Sequence, residues 1–262
     1  MKNNIKAVIL AGGLGTRISE ETQLKPKPMV EIGGRPLLWH IMKTYSEHGI
    51  NDFIICCGYK GYLIKEYFSN YFLHTSDICV DLKNNQIEIF HKKTEPWKIT
   101  MVDTGEFTNT GGRLRRVKDY LKHEDLFCFT YGDGLTDVNI TETINMHRKH
   151  KKMVTITAVR PPGRFGIVSK SPDGMVKEFS EKSDKEIGLI NGGYFVLSPK
   201  SINFIKDDVE SWESDTLKKL VDIGEVVAYE HKGFWQPMDT LREKNILENF
   251  WSKGNAPWKK WD

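Results

Sequence analysis

The sequence predicts an α/β fold of the Rossmann-like, three-layer α/β/α type, with a central mixed, mostly parallel sheet. Three observations predict it. Short apolar runs rich in β-branched residues alternate with segments of helical periodicity, glycine-rich turns follow several of those runs, and the later half adds hairpin patterns. The alternation favours a parallel sheet covered by helices on both faces. For 262 residues, we expect one domain, residues 1–262, carrying a small β-rich subdomain.

The first half of the chain alternates strand and helix from its start. The run 5–10 is predicted to be a buried strand, because it is short, apolar and ended by Gly12 and Gly13. Pro36 opens a helix that Gly49 ends, since proline at a first helical position loses no hydrogen bond. The later predicted elements are a strand at 53–57, a helix at 62–72, a hairpin of 78–82 with 86–91, a helix marked by Leu114, Val117 and Leu121, and a strand at 126–130.

The second half changes character, and hairpins become prominent. Residues 166–170 and 175–180 are predicted to pair over the turn Pro172-Asp173-Gly174. The other predicted elements are strands at 154–159, 189–197 and 225–230, two helical stretches before the last of these strands, and a final helix from about residue 240 to 253. Trp251, Trp258 and Trp261 are interpreted as a tail packed on its own domain or on another subunit.

Composition excludes several classes of protein. A net charge of +3 is too small to suggest a nucleic-acid coat or a membrane-surface anchor, so neither partner is expected. The longest apolar runs are about five residues, whereas a membrane span needs about twenty. Four cysteines do not make a disulfide framework. A cytosolic protein fits these features.

The strongest functional signal is the run Leu10-Ala11-Gly12-Gly13-Leu14-Gly15-Thr16-Arg17, directly after the first predicted strand. Its glycines let backbone pass close to a ligand, and successive N–H groups can form an anion-binding concavity. Arg17 adds donors suited to phosphate oxygens. The spelling is neither a dinucleotide fingerprint nor a P-loop. An ordinary strand-to-helix turn is the structural alternative.

A second basic motif follows, Lys25-Pro26-Lys27-Pro28-Met29. The prolines favour extended backbone, and alternation along it can direct one lysine toward the glycine-rich loop. A solvated basic turn is the alternative.

Together these two motifs resemble the signature of the sugar-phosphate nucleotidylyltransferases, and the resemblance covers essentially the whole chain. These enzymes join a sugar 1-phosphate to a nucleoside triphosphate and release pyrophosphate. The chain is most similar to the branch that uses CTP and glucose 1-phosphate. The further features that carry this resemblance are Ser19-Glu20-Glu21-Thr22, Tyr131-Gly132-Asp133-Gly134, Pro162-Gly163-Arg164-Phe165-Gly166, Asn191-Gly192-Gly193 and the run from Gly233 to Thr240.

The resemblance implies a Mg²⁺ ion held by Asp133 and Asp239, and catalytic roles for Arg17, Lys27 and Asp133. Phosphoryl-type displacement depends mainly on positioning and charge neutralisation, which suits this set of residues. Asp133 also follows the strand 126–130, where α/β sheets bind ligands. A turn or helix-cap carboxylate is the structural alternative for both aspartates.

The resemblance also assigns two sets of binding residues. The nucleotide set is Leu10, Ala11, Gly12, Gly13, Leu14, Gly15, Thr16, Arg17, Lys27, Thr108, Arg113 and Gly132. The sugar-phosphate set is Tyr131, Gly166, Glu181, Lys182, Asn191 and Gly192. Ser183 departs from the proline common after the lysine in this family. Residues 1–150 are expected to bind mainly nucleotide, residues 151–240 mainly sugar phosphate, and 241–262 to form the last helix and tail.

The expected reaction is cytidylyl transfer from CTP to glucose 1-phosphate, giving CDP-glucose for deoxysugar and surface-polysaccharide synthesis, by an enzyme that forms homo-oligomers. Uridylyl or thymidylyl transfer is the runner-up. A nicotinamide-dependent sugar oxidoreductase and a non-catalytic sugar-nucleotide sensor are alternatives from other classes.

Overall fold

The structure is a computed structural model, and it describes residues 5–91, 94–161, 167–180 and 188–261. The strands are β1 Lys6–Ala11, β2 Glu31–Ile32, β3 Arg35–Pro36, β4 Asp52–Cys57, β5 Asp77–Asp81, β6 Gln86–Phe90, β7 Lys98–Asp103, β8 Phe127–Tyr131, β9 Gly134–Thr136, β10 Val154–Val159, β11 Ile167–Lys170, β12 Val176–Ser180, β13 Ile190–Leu197, β14 Val226–His231 and β15 Trp235–Pro237.

The helices lie between these strands. The α-helices are α1 Ser19–Thr22, α2 Leu37–Ser46, α3 Gly61–Ser69, α4 Thr110–Arg116, α5 Ile140–His150, α6 Lys218–Asp222 and α7 Leu241–Ser252. Short 3₁₀ turns are Thr16–Ile18, Lys27–Met29, Tyr71–His74, Lys118–Tyr120 and Pro199–Phe204, and Trp212–Leu217 is a π-helical turn. None of the described helices is long and apolar enough to cross a membrane.

Seven strands form the central sheet, in the order β14-β10-β13-β8-β1-β4-β7. Strand β13 pairs antiparallel with both β10 and β8, whereas the other neighbouring pairs are parallel. The sheet is therefore mixed and mostly parallel, as predicted. Because β1 and β8 are parallel neighbours, their carboxyl ends lie side by side at one edge.

Alternate residues of the central strands pack into two separate cores. Ala7, Ile9, Phe53 and Ile55 lie in a core with α2, α3, α5 and α7. Val8 and Ile54, on the opposite face, pack against α4, α6 and the π-helical turn. Burial on both faces explains the continuous apolar runs of β1 and β4, and it confirms the three-layer arrangement.

Five short or edge strands were not predicted, namely β2, β3, β7, β9 and β15. Strand β7 lies at the edge of the sheet, and β9 pairs with β15 as a two-stranded ladder of three residues each. The predicted helix at 62–72 ends at Ser69 and continues as a separate 3₁₀ turn. The predicted β5–β6 and β11–β12 hairpins are both present.

The tryptophan-rich tail packs on its own domain. Trp258 is fully buried, and Trp251 lies edge-on to His40 of α2, with ring centroids 4.7 Å apart. Gly33 has a φ of +59° and lies so close to Trp251 that a Cβ atom there would stand 1.9 Å from the indole nitrogen. Trp251, which belongs to α7, therefore packs this helix against the turn of the β2–β3 hairpin.

Candidate active site

The candidate site lies where β1 and β8 end. Leu10 of β1 is in register with Tyr131 of β8, so the loops that begin at Gly12 and Gly132 leave the sheet together. In open α/β sheets, ligands bind in crevices at the carboxyl ends of such strands. A cavity of about 500 Å³ opens here.

The glycine-rich loop forms one wall of this cavity. Gly15 has a φ of +66°, a left-handed conformation that glycine adopts without steric cost. At Gly12 a Cβ atom would stand 2.2 Å from Nη1 of Arg113, so the close approach of that side chain requires glycine. Leu14 is exposed and does not line the cavity, although the resemblance assigned it to the nucleotide-binding residues.

Lys27 lies in the cavity wall with most of its side chain buried. The extended backbone at Pro26 and the 3₁₀ turn that begins at Lys27 direct this side chain inward. Its neighbour Lys25 instead donates to Glu31 (2.9 Å) outside the cavity. One lysine of the Lys-Pro-Lys-Pro motif is therefore directed into the site, as predicted. Residues two positions apart share a face in extended backbone, so the 3₁₀ turn at Lys27, and not alternation, separates it from Lys25.

Asp133 and Asp239 converge on Lys27 although they are far apart in the chain. Lys27 Nζ donates to Asp133 Oδ2 (3.0 Å) and to Asp239 Oδ1 (2.5 Å). The pairing of β9 with β15 brings the two aspartates together, and Met238 N donates to Asp133 O (2.8 Å). Asp239 also precedes Thr240, which begins α7 with a capping box. Thr240, not Asp239, is thus the residue whose side chain caps α7, and Asp239 is left to contact Lys27.

Arg17 completes the charged cluster. Its Nη1 atom donates to Asp239 Oδ2 at 2.5 Å, while 71% of its side chain stays exposed at the rim of the cavity. Two cations and two carboxylates therefore form one network. A guanidinium that is held at one end and open to solvent is well placed to bind a phosphate that enters.

The pair of aspartates fits a hard divalent cation. The Lys27 ammonium lies within hydrogen-bond distance of both carboxylates, which shows that the pair attracts positive charge. Mg²⁺ is usually bound by one or two carboxylates together with substrate oxygens and water. In the described part of the chain no cluster of three or more His, Cys, Asp or Glu residues could hold a metal alone. The donor set therefore suits Mg²⁺ whose remaining ligands are water or phosphate oxygens.

Arg113 lies in α4, and its side chain is buried in the fold. The guanidinium is buried and donates to five protein oxygens: Gly12 O (3.0 Å), Cys57 O (3.3 Å), Thr104 Oγ1 (2.8 Å), Gly105 O (2.7 Å) and Glu106 O (3.0 Å). It thereby joins the glycine-rich loop to the segment after β7. Its side chain shapes the cavity wall, and its expected contact with nucleotide stays a prediction.

A smaller cavity of about 40 Å³ adjoins the first and shares Tyr131 and Asp133 with it. Asn191 Nδ2 donates to the Tyr131 hydroxyl (3.1 Å), and Trp235 Nε1 donates to Gly192 O (2.7 Å). Three of the predicted sugar-phosphate residues thus lie together. Gly166, Glu181 and Lys182, the other three, lie outside the described residues.

The main cavity contains most of the predicted nucleotide residues and some that the sequence did not indicate. Ile18, Pro28, Asn109, Thr110 and Glu213 also line it. Glu213 belongs to the π-helical turn, and no local motif marks it. Its place in the cavity wall is evident only from the folded structure, where Thr110 Oγ1 donates to Glu213 Oε2 at 2.7 Å.

Comparisons with known proteins agree with this geometry. The sequence model described as nucleotidyl transferase matches residues 6–245. The chain is 58% identical to glucose-1-phosphate cytidylyltransferase of Salmonella typhi, over 98% of this chain and 100% of that protein. It is 44% identical to the probable glucose-1-phosphate cytidylyltransferase of Bacillus subtilis (strain 168), over 98% and 100%.

A solved structure has the same fold. The crystal structure of HddC from Yersinia pseudotuberculosis superposes with a TM-score of 0.68 and 26% identity, covering 94% of this chain and 99% of that one. The family match spans the glycine-rich loop, Lys27 and both aspartates. The chain therefore belongs to the nucleotidyl transferase family.

Proposed function

We propose that this protein transfers the cytidylyl group of CTP to α-D-glucose 1-phosphate, giving CDP-glucose and pyrophosphate. The observation that carries the proposal is the convergence of Lys27, Asp133 and Asp239 beside the glycine-rich loop. The choice of substrates is supported by the two cytidylyltransferase relatives, each of which matches along its full length.

In the proposed reaction a phosphate oxygen of glucose 1-phosphate attacks the α-phosphorus of CTP. A new P–O bond forms there while the bond to the β-phosphate oxygen breaks, and pyrophosphate leaves with that electron pair. No covalent intermediate with the protein is needed, because two substrates held side by side already gain the advantage of orientation.

In this proposal one group of residues binds the phosphates and another binds the cation. The N–H groups of the glycine-rich loop face the triphosphate, and Arg17 and Lys27 neutralise charge that develops on its oxygens. Asp133 and Asp239 would hold Mg²⁺. When bound, Mg²⁺ supplies neutralisation of phosphate charge and a fixed orientation of the phosphates. Tyr131, Asn191 and Gly192 would form the hexose wall, with Glu181 and Lys182 as proposed partners of the sugar phosphate.

Release of pyrophosphate tests the function directly. Purified protein is incubated with glucose 1-phosphate, Mg²⁺ and either CTP, UTP, dTTP or ATP. We expect CTP to give the highest kcat/KM. Equal or higher values with UTP or dTTP would replace cytidylyl transfer by the uridylyl or thymidylyl alternative, and no release with any nucleotide would refute the proposal.

We also propose a homo-oligomer and a cytosolic location, where nucleoside triphosphates are available. The β5–β6 hairpin supports association, because Ile78, Val80, Ile87 and Phe90 expose 40–57% of their surface. Sedimentation velocity of the wild type and of Val80→Asp tests this. A wild type that sediments as a monomer would contradict it. CDP-deoxysugar synthesis for surface polysaccharide is the proposed use of the product.

A further inference from the structure

Glu213 is a fixed acidic group in the wall of the main cavity. Its Oε2 atom accepts hydrogen bonds from Thr110 Oγ1 (2.7 Å) and Ser211 Oγ (2.7 Å). Ser211 also caps the π-helical turn, since its Oγ accepts from the backbone N–H groups of Glu213 and Ser214 (both 3.2 Å). The carboxylate is therefore held in one place before any ligand binds, which lowers the entropic cost of using it.

This carboxylate retains capacity to accept hydrogen bonds. A carboxylate offers about four acceptor positions, and the bonds from Thr110 and Ser211 both use Oε2. No ion pair with a cation is formed by Glu213 among the described residues, in contrast to Asp133 and Asp239. Burial, the neighbouring Glu213 charge and a side-chain hydrogen bond with Glu213 all raise the pKa of the Tyr131 hydroxyl. Tyr131 is thus a third partner of this carboxylate, which still leaves an acceptor position for a ligand.

The charge of Glu213 decides which part of a substrate can lie against it. An unneutralised carboxylate repels phosphate and attracts N–H or O–H donors. Phosphates are attracted instead to Arg17 and Lys27, which contact the aspartates. Glu213 lines the main cavity with Thr108 and Thr110, and it is not among the residues around the smaller cavity. The uncharged nucleoside half of CTP is the part that fits this wall.

We propose that Glu213 is a further substrate-binding residue, whose carboxylate accepts a hydrogen bond from an N–H or O–H donor of the nucleoside half of CTP. This inference rests on the proposed function. Two groups supply that chemistry, the 4-amino group of cytosine and a ribose hydroxyl. Where the amino group is the donor, Glu213 also selects cytosine, because uracil and thymine carry a carbonyl oxygen at that position.

The test measures nucleotide binding by calorimetry, with Mg²⁺ and without glucose 1-phosphate, for the wild type and Glu213→Gln. The ligands are CTP, UTP, 2′-deoxy-CTP and 3′-deoxy-CTP. Loss of a hydrogen bond to a charged group is expected to weaken CTP binding about 10- to 100-fold. The nucleotide that lacks the donor should bind the wild type as weakly as CTP binds Glu213→Gln. For that nucleotide, the Glu213→Gln substitution should weaken binding less than about 3-fold further.

A uniform loss for all four nucleotides would overturn the inference, because it would assign Glu213 a structural role only. Glu210→Gln is the matched control: it removes an ion pair with Lys219 (2.8 Å) on the neighbouring segment and should not change the order of affinities. Thr110→Val removes one donor to Glu213 and should change the nucleotide affinities in the same order but by smaller factors. This variant replaces Glu213→Gln in the test where Glu213→Gln lowers the Tm. A separate outcome is that Glu213→Gln changes the order of nucleotide affinities as expected while the wild type releases no pyrophosphate with any nucleotide. That result would refute the proposed function and leave the binding role of Glu213 intact.

Discussion

Replacement of Lys27 by methionine is expected to tighten the binding of a divalent cation to the protein without nucleotide. In the structure the Lys27 ammonium binds one oxygen of Asp133 and one of Asp239. These are the carboxylates proposed to hold Mg²⁺, so the ammonium and a metal compete for them. Methionine keeps much of the length of lysine and removes its charge, which ends the competition.

The size of the effect follows from the two hydrogen bonds. The Asp133 side chain is 37% exposed, so water screens its bond with Lys27. The side chains of Lys27 and Asp239 are only 10% and 15% exposed and lie 2.5 Å apart, so this bond dominates. A charge-assisted hydrogen bond contributes about 1.5–3 kcal/mol. At 1.4 kcal/mol for each factor of ten, the affinity should rise about 10- to 100-fold.

Electron paramagnetic resonance of Mn²⁺ measures this affinity without any turnover. Free Mn²⁺ is titrated against the wild type and Lys27→Met, in the absence of nucleotide. Lys25→Met is the matched control, because Lys25 pairs with Glu31 at 2.9 Å outside the cavity, and it should bind Mn²⁺ like the wild type. The same dissociation constant for wild type and Lys27→Met would refute the competition.

Three further perturbations test other parts of the structure. Asp133→Asn should weaken Mn²⁺ binding and lower kcat together, and an unchanged metal response in turnover assays would remove Asp133 from the ligand set. Arg113→Lys should lower the free energy of unfolding by about 3 kcal/mol, since most of its five buried hydrogen bonds are lost; a urea titration that matches the wild type would contradict this. Burial lowers the pKa of His40 from 6.5 to about 4, so its contribution to stability is complete above pH 6.5 and is lost as the pH falls toward 4. Between pH 7.5 and 5 we expect His40 to account for a loss of roughly 2 kcal/mol, and urea unfolding of His40→Gln should lack that part of the pH dependence.

The parts of the site that depend on local sequence were predictable. The glycine-rich loop follows a buried strand, and the prolines around Lys27 restrict the backbone, so the backbone conformation of both motifs follows from neighbouring residues. The continuous apolar runs likewise predicted strands β1, β4, β8 and β10, because burial on both faces of the sheet requires such runs.

Other parts depend on contacts between distant residues and were not predictable. Glu213 enters the cavity wall through its bond with Thr110, 103 positions away, in a turn that no motif marks. The guanidinium of Arg113 turns inward to backbone carbonyl oxygens that only the folded loops bring together. Strands β9 and β15 have three residues each, which is too short for periodicity to identify.

The meeting of Asp133 with Asp239 ties the chemistry to late events in synthesis and folding. The two acids stand 106 and 212 positions after the lysine that they share. A nascent chain that had emerged only as far as α6 would contain the whole glycine-rich loop, Lys27 and Asp133 but would lack Asp239. Pairing of β9 with β15 is the step that delivers that acid, so a polypeptide arrested before this point should be inert, however well its first half had folded.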